Sequence, residues 1–383
     1  MEQASMMPDR TTAEPVEPWM FIEMREQPLA LATTLKHYVQ SGRFIDSEVD
    51  KVIQWLGCGK RVLFLASGSS RHASLVGARW LKDTAGLDAD IEFSSEYLYQ
   101  DEAVLPECPV IVVSQSGETA DTLKALRRAI SLGRNTIAVT NVADSSTAKE
   151  AMASMPSLAG RERAIPATKS FTCQLLVLQL IALIAASIRG TLPDEDVTAR
   201  LSQIETLPQS IEEQWAGWNE LLPTIASQTS AAHSFLFIGR ETHYPIACEG
   251  ALKLKESSYV PAEGYPSGEL KHGPNALVSD TVPIVMLCTV DHSDVGSVLR
   301  YEKSIALLKD MKEQSAFIIV VANNGDREAG SLASLVIPIR VNAELLLPMI
   351  EIIPLQLFAY YVALSRDVNV DSPRNLVKAV LKE

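Results

Sequence analysis

Short, mostly apolar runs recur along the first half of the chain, each followed by small polar residues and then by a segment with helical spacing. The clearest runs are 61–66 (RVLFLA), 110–113 (VIVV) and 136–140 (TIAVT). Continuous apolar runs of this length are typical of buried strands. Strands that alternate with helices form parallel βαβ units whose sheet is covered on both faces. The pattern therefore predicts an α/β fold built on parallel sheets.

Further elements surround these three strands. We expect a helix over 19–40, a helix over 71–81, short strands at 91–93 and 154–158, and a long apolar helix over 171–188. The more polar segment 191–228 is interpreted as a helical linker to the second half of the chain.

The second half repeats the element order of the first. The apolar run that ends at Gly239 corresponds to the run that ends near Gly68, with an offset of 171 residues. The run that ends at Asn323 corresponds to the run that ends at Asn141, with an offset of 182 residues. Nearly constant offsets with the same order of elements predict a duplicated domain.

Two stretches, 171–188 and 345–364, are apolar enough to resemble membrane spans. Both contain interior polar residues or prolines, so we expect buried or subunit-interface helices instead. Residues 1–18 are polar, with acids and prolines but no apolar core, which predicts a disordered tail rather than a signal peptide.

Composition narrows the possible partners. The net charge is −13 and no basic run is present, which argues against nucleic acid and anionic membranes. The histidines show no metal-ligand spacing, and we expect neither a metal nor a cofactor. The cysteines are dispersed without a Cys-x-x-Cys motif, which is typical of reduced thiols in the cytoplasm. They are Cys58, Cys108, Cys173, Cys248 and Cys288.

The turn after the strand 110–113 is the strongest candidate for a binding site. Ser114, Gln115, Ser116 and Gly117 precede a helix that we expect to begin at Glu118. Free backbone N–H groups and the helix dipole favour an anion at such a point, and hydroxyls add neutral donors. No Lys lies in the turn, so it is not a Walker-type loop. Residues 114–117, called the phosphate turn below, are therefore predicted to hold one phosphate of a small substrate. The alternative is an ordinary polar βα turn.

Two related turns give different predictions. Residues 67–70 (SGSS) form a second small polar turn after a strand. Residues 289–294 (TVDHSD) are the second-half counterpart of the phosphate turn, but they have gained acids. We therefore expect one copy to bind phosphate and the other to have diverged.

Acid–base chemistry is suggested by a helix and the loop after it. Glu249, Lys253 and Glu256 have the spacing of one helical face, which could equally be a solvated charged face. The segment 259–274 reads as a loop rich in Gly, Pro and Glu, and it contains His272. A carboxylate close to this imidazole could divide proton transfers at carbon and oxygen.

The C-terminal segment 371–383 contains Lys378. A buried lysine with a lowered pKa could form a Schiff base with a carbonyl substrate. The alternative is a solvated terminal helix.

Several of these segments together resemble a known family. From residue 19 onward the chain is similar to the isomerase region of glucosamine-6-phosphate synthase, a tandem of two sugar isomerase (SIS) domains. The matching segments are SQSGETADTL at 114–123, ATKSFT at 167–172, EGALKLKE at 249–256, GELKHGP at 268–274 and DSPRNLVK at 371–378. The resemblance implies two flavodoxin-like three-layer sandwiches, over 19–200 and 201–365, and a tail, 366–383, that covers the site.

The resemblance also implies roles for individual residues. Glu256 moves the proton between carbons 1 and 2, and Lys253 lies beside it. His272 opens the sugar ring from the neighbouring subunit of a homodimer. Lys378 can contact the open-chain carbonyl. The residues implied to hold the sugar phosphate are Ser69, Ser70, Ser114, Gln115, Ser116 and Thr119.

Two departures from the family bear on function. The synthase begins with a glutaminase domain that has an N-terminal cysteine, whereas residue 2 here is Glu2. Ala167 stands at a substrate-contact position where the family has a serine, so one hydrogen bond to the sugar is expected to be missing.

The favoured hypothesis is a deaminase that converts glucosamine 6-phosphate and water to fructose 6-phosphate and ammonia. A deglycase acting on 6-phosphorylated fructosamines would use the same turn and base. Ammonia-dependent synthesis, or plain isomerisation of a sugar phosphate, is a third hypothesis. A non-catalytic sugar-phosphate sensor is a fourth, although no DNA-binding segment is visible.

Overall fold

The computed structural model describes residues 17–56, 59–340 and 343–381. The predicted tail up to residue 16 and Cys58 lie outside the described residues. The other four cysteines are free thiols.

The strands follow the predicted alternation with helices. They are β1 (Val39–Gln40), β2 (Arg43–Phe44), β3 (Arg61–Ala66), β4 (Asp88–Phe93), β5 (Val110–Ser114), β6 (Thr136–Thr140), β7 (Ala153–Pro156), β8 (Phe235–Gly239), β9 (Ala262–Pro266), β10 (Ile284–Cys288), β11 (Ile318–Asn323) and β12 (Leu335–Ile339).

The helices cover both faces of the sheets. They are α1 (Trp19–Arg25), α2 (Gln27–Tyr38), α3 (Asp46–Leu56), α4 (Gly68–Ala85), α5 (Ser94–Tyr97), α6 (Ala120–Ser131), α7 (Ser146–Glu150), α8 (Lys169–Arg189), α9 (Asp194–Glu205), α10 (Leu207–Gln228), α11 (His243–Ser258), α12 (Val295–Glu313), α13 (Arg327–Leu332) and α14 (Leu347–Leu364).

Two five-stranded parallel sheets organise the chain. The first has the order β4-β3-β5-β6-β7 and the second the order β9-β8-β10-β11-β12, so the two halves share one topology. The predicted α/β fold class with a duplicated parallel sheet is confirmed. Inner strands such as β5 and β8 are buried along their whole length, as their apolar runs predict.

The two most apolar helices pack against other helices inside the protein. Lys169–Arg189 and Glu344–Leu364 are each long and apolar enough to span a membrane, but 89% of each hydrophobic window is buried inside the protein. Helix α8 packs against α4, and α14 packs against α11. Their apolar surface is therefore used as core.

Several element boundaries differ from the sequence-based predictions. The predicted helix 19–40 is two helices separated at Glu26, with Pro28 in the first turn of α2, where its missing N–H costs little. The segment 191–228, interpreted as a helical linker, forms the helices α9 and α10. Trp218 and Leu222 of α10 are buried, and Trp218 Nε1 donates to the Pro338 carbonyl at 2.8 Å.

The predicted loop 259–274 contains the edge strand β9. One of the glycines of this segment, Gly264, lies in β9, where a Cβ would lie 2.6 Å from the Cys248 Cα. The glycine thus allows a close approach between β9 and α11. Pro266 is tolerated because it ends an edge strand.

Candidate functional site

The phosphate turn is built from the end of β5 and the start of α6. Gly117 has φ +66° and a Cβ there would lie 2.1 Å from Ser145 Oγ, so only glycine fits. Its N–H donates to Ser114 Oγ at 3.1 Å. The helix begins at Ala120 with Thr119 as its N-cap, so the predicted start at Glu118 was two residues early. Glu118 instead accepts the Ser146 N–H at 2.7 Å.

The second polar turn becomes part of a helix. Helix α4 begins at Gly68, so Ser69 and Ser70 lie in its first turn rather than before it. Strands β3 and β5 are parallel neighbours, and the chain leaves β3 toward β4 on its other side. Ligands of open parallel sheets bind at such a switch point. The N-termini of α4 and α6 therefore meet at the same edge of the sheet.

A cavity of about 280 Å³ lies at this edge. It contains nine of the eleven predicted site residues, and Glu256 and Lys378 are the ionisable side chains among its lining. The nine are Ser69, Ser70, Ser114, Gln115, Ser116, Thr119, Ala167, Glu256 and Lys378. Glu256 comes from α11 of the second half, so both halves contribute to one cavity.

Lys253 lies behind this cavity and connects two carboxylates. Its side chain is completely buried, with Nζ 2.6 Å from Glu256 Oε2 and 3.3 Å from Glu249 Oε1. It also donates to Ser69 Oγ at 3.2 Å. The alternative of a solvated charged face is wrong for Glu249 and Lys253, since both are fully buried.

Electrostatics keep this cluster charged. Burial alone would lower the pKa of Lys253, but the neighbouring Glu256 and Glu249 carboxylates raise it above its usual value. Burial would likewise raise the pKa of Glu249, yet the Lys253 ammonium, His72 and Ser69 hold it below the usual value. Lys253 is therefore a fixed cation rather than a neutral nucleophile.

His72 is a member of this cluster that the sequence reasoning missed. Its Nδ1 lies 2.7 Å from Glu249 Oε2, and Glu249 Oε1 accepts the Ser69 hydroxyl at 2.8 Å. The signal was present, since Ser69 and His72 are three residues apart. The spacing is informative only if the helix begins at Gly68, because both residues then lie on one helical face.

Lys378 is held by a buried carboxylate that the sequence reasoning also missed. Its Nζ donates to Glu162 Oε2 at 2.5 Å and to the Ala164 carbonyl at 2.6 Å. Burial would raise the pKa of Glu162, but Lys378, the Thr168 N–H and the Ser170 hydroxyl keep it below its usual value. In this arrangement the Lys378 amino group is engaged by Glu162 and Ala164, whereas a Schiff base requires an amino group that is free to attack a carbonyl.

The C-terminal segment is not a helix in its described part. Residues 376–380 line the cavity, and the Val380 carbonyl accepts the Ala120 N–H at 2.9 Å. Further back, the Asp371 carboxylate accepts the N–H groups of Trp19 and Met20, both at 2.8 Å. The tail is thus anchored on α1 and reaches the N-terminus of α6.

His272 does not join Glu256 within one chain. It lies in a short turn of 3-10 helix, is exposed, and is absent from the lining of the cavity. The expected closeness of carboxylate and imidazole is therefore not present in a single subunit. Among residues 17–56, 59–340 and 343–381, no three His, Cys, Asp or Glu side chains are grouped to hold a metal ion.

Thr168 and Gln174 are polar residues close to Ala167 in sequence. Thr168 is fully buried and its Oγ1 has no hydrogen-bond partner within the described residues. Gln174 lines the cavity and donates to Ser70 Oγ at 3.1 Å.

The chain is similar to known sugar-phosphate enzymes along most of its length. It is 39% identical over 376 residues to the glutamine--fructose-6-phosphate aminotransferase [isomerizing] of Methanosarcina mazei, which is 96% of this chain and 58% of that protein. The enzyme of the same name from Zymomonas mobilis is 38% identical over 94% of this chain and 58% of its own length. The chain spans somewhat over half the length of these curated relatives.

Solved structures give the same picture. The C-terminal domain of glucosamine-fructose-6-phosphate aminotransferase from Francisella tularensis matches with a TM-score of 0.87 and 29% identity, covering 94% of this chain and all of that one. A glucosamine-6-phosphate deaminase from Thermotoga maritima matches with a TM-score of 0.72 over 94% of this chain and 99% of its own. At 23% identity the second likeness shows the fold alone.

Family membership follows from the sequence itself. Residues 56–184 and 229–366 match the SIS domain family. The two matched regions contain the two parallel sheets, and the resemblance to the synthase isomerase region is confirmed. The chain belongs to the SIS domain family, with two copies of the domain in tandem.

Proposed function

We propose that the chain interconverts aldose and ketose forms of an amino-sugar phosphate, with glucosamine 6-phosphate and water as substrates and fructose 6-phosphate and ammonia as products. The observation that carries this proposal is one cavity lined both by the phosphate turn and by Glu256. A hexose phosphate placed there would have its anionic end and its reacting carbons on opposite walls.

The phosphate end of the cavity relies on neutral donors. The N-termini of α4 and α6 offer backbone N–H groups, and the hydroxyls of Ser114, Ser116 and Thr119 add to them. The Val380 carbonyl occupies the Ala120 N–H. Phosphate binding at α6 is thus coupled to the position of the tail.

The reacting end of the cavity is Glu256. In the proposed reaction, the carboxylate removes the C2 proton of the open-chain aldehyde as O1 takes up a proton, which gives a 1,2-enolamine. The carboxylic acid then returns the proton to C1 as the C2 nitrogen loses one. The product is a 2-imine of fructose 6-phosphate, and water then adds to C2 and ammonia leaves. Lys253 positions the carboxylate through the 2.6 Å contact.

Ring opening needs a further acid–base group. We extend the proposal to a homodimer in which His272 of a second copy reaches this cavity, since His272 is exposed and outside its own chain's cavity. The proposal also treats 19–200 and 201–365 as the two domains and 366–383 as the cover of the site.

The proposed direction of the reaction, release of ammonia, rests on the availability of the second substrate. Water is abundant, whereas free ammonia is mostly ammonium at neutral pH, so synthesis from free ammonia requires a high concentration of it. The 383-residue chain assayed by itself is therefore expected to release ammonia.

The test is incubation of the purified chain with glucosamine 6-phosphate, measuring ammonia and fructose 6-phosphate in equal amounts. Equal release of both supports the proposal. Turnover of a phosphorylated fructosamine with none of glucosamine 6-phosphate would replace it with the deglycase alternative. Binding of hexose 6-phosphates without any turnover would replace it with a sensor.

A further inference from the structure

The duplicated half has a second cavity, of about 560 Å³, in the place that corresponds to the proposed active site. The first cavity is formed by the turns after β3 and β5 and is closed by α11 of the second half. The second is formed by the turns after β8 and β10 and is closed by α4 of the first half. Because the two sheets share one strand order, the cavities are equivalent positions of the duplication.

The second cavity cannot hold phosphate in the same way. Its turn carries Asp294 as the N-cap of α12, and this carboxylate accepts the Ser297 N–H at 2.7 Å. Asp291 accepts the N–H groups of Ser293 and Glu344, at 2.9 and 3.0 Å. Amide donors of the kind that would bind a phosphate are therefore already used by carboxylates of the chain.

The charge of the second cavity favours a cation. Arg79 is paired with Asp83 and Glu241, each at 2.5 Å, and is thereby neutralised. Burial would raise the pKa of Asp291, but its hydrogen bonds from Ser293 and from the Glu344 N–H hold the pKa below the usual value. The lining carries five carboxylates, Asp83, Glu241, Asp291, Asp294 and Glu344, and two guanidiniums, Arg79 and Arg200. Glu344 is also paired with the buried Arg300 and contacts His243, so the surplus negative charge lies at Asp291, Asp294 and the two carboxylates that share Arg79.

An unsatisfied buried amide points independently to a ligand. Gln179 of α8 is 1% exposed and lines the second cavity. Its Oε1 has no hydrogen-bond partner among the described residues. A buried polar group of this kind normally has a partner, and a hydroxyl or ammonium of a bound molecule would supply it.

An apolar wall completes the cavity. Trp80 also lines this cavity and is largely buried, at 7% exposure. Ala343 and Leu345 are the other apolar side chains of an otherwise mainly polar lining, and an aromatic face combined with convergent polar groups suits a small polar ring. The combination suits a ring with one apolar face, several hydroxyls and a positive charge.

We propose that this second cavity is a binding site for an unphosphorylated amino sugar, a polyhydroxylated ring that carries an ammonium group. Gln179 accepts a hydrogen bond from the ligand, and the surplus carboxylates hold its ammonium. The site is independent of the proposed reaction, because it shares no lining residue with the first cavity.

The test is titration of the full chain with D-glucosamine, using isothermal calorimetry and saturation-transfer NMR at neutral pH. We expect saturable binding that is weaker for D-glucose, which lacks the ammonium. Gln179→Leu and Glu241→Gln should each raise the Kd for glucosamine by about fivefold or more, which corresponds to the loss of one hydrogen bond or charge contact. The surface variant Glu241→Gln keeps the test valid if the buried Gln179→Leu does not fold.

Ser116→Ala is the matched control, since it changes the first cavity and should leave the Kd for glucosamine unchanged. Two results would overturn the proposal: absence of glucosamine binding up to the solubility of the sugar, or binding that Ser116→Ala weakens and Glu241→Gln leaves intact. The second result would place glucosamine in the first cavity.

Discussion

Lys253 Nζ lies 2.6 Å from Glu256 Oε2, one helical turn away on α11. This ion pair joins a fully buried ammonium to a carboxylate that lines the cavity. The ammonium is in turn 3.3 Å from the buried Glu249. One cation therefore compensates a structural carboxylate and orients the proposed base. In the proposed mechanism, Lys253 therefore contributes both to stability and to the position of the base.

Glu256→Gln is expected to abolish turnover while preserving binding. The amide keeps the size of the side chain but cannot accept the C2 proton, so kcat should fall by about 10²-fold or more. Turnover of glucosamine 6-phosphate and its Kd measured by calorimetry check this. A variant with nearly full kcat would mean that another group is the base.

Lys253→Met is expected to destabilise the whole protein. It leaves Glu249 buried without its cation, and breaking a buried pair in this way costs about 3–5 kcal/mol in the free energy of unfolding. Urea unfolding measures the loss. The double variant Lys253→Met/Glu249→Gln should recover part of the stability; equal losses in the single and double variants would contradict a charge effect.

His72→Phe is expected to lower kcat more than it changes KM. His72 touches Glu249 rather than the cavity's phosphate turn, so it acts by positioning the Glu249–Lys253–Glu256 chain. A misplaced base costs about tenfold to a hundredfold in rate. His72→Asn, which retains a donor near the Nδ1 position, should restore most of kcat. An equal loss in both variants would make the effect one of folding.

Glu23 should make stability depend on pH near neutrality. Burial raises its pKa to about 7, against the opposing N–H of Arg163. An acid whose pKa is raised on folding favours the folded state most below its unfolded value near 4.5, and this contribution is lost as the pH rises toward 7. The shift corresponds to a loss on the order of 3 kcal/mol between pH 4.5 and 8.

Urea unfolding of the wild type and of Glu23→Gln at pH 5 and pH 8 checks this. The wild type should lose more stability than the variant between the two values. Parallel losses would show that Glu23 does not titrate in this range.

Truncation after Pro373 is expected to remove activity and leave the fold intact. It deletes Lys378 and the Val380 carbonyl but keeps Asp371, which caps α1. Circular dichroism and turnover distinguish the two effects. A truncated chain that unfolds would make the segment after residue 373 structural, and one with full activity would remove Lys378 from the mechanism.

The inner strands of the first sheet were predictable because they are buried on both faces. The runs 61–66 and 136–140 coincide with β3 and β6, since their short length and the polar turn residues after them favour a buried strand over a buried helix. The strand β9 was missed because its segment is rich in Gly and Pro and was therefore predicted to be a loop. Gly264 instead allows a close packing contact with Cys248. Local turn signals cannot reveal such tertiary contacts.

The candidate site was predictable where motifs were local and less so where partners were distant. The serines of the phosphate turn were found from their position between a strand and a helix. Glu162 and His72 were missed, because their importance arises from Lys378 and Glu249, which lie 216 and 177 residues away. Lys378 on its own suggested a Schiff base, whereas the structure shows its amino group engaged by the buried Glu162.

The most direct measurement is a crystal structure of Glu256→Gln with glucosamine 6-phosphate bound, a variant chosen because it should bind without turnover. The account predicts the phosphate within hydrogen-bond distance of the Ser114, Ser116 and Thr119 hydroxyls, with C1 and C2 of the sugar beside residue 256. A sugar phosphate bound outside this cavity, or with its phosphate beside residue 256, would contradict it.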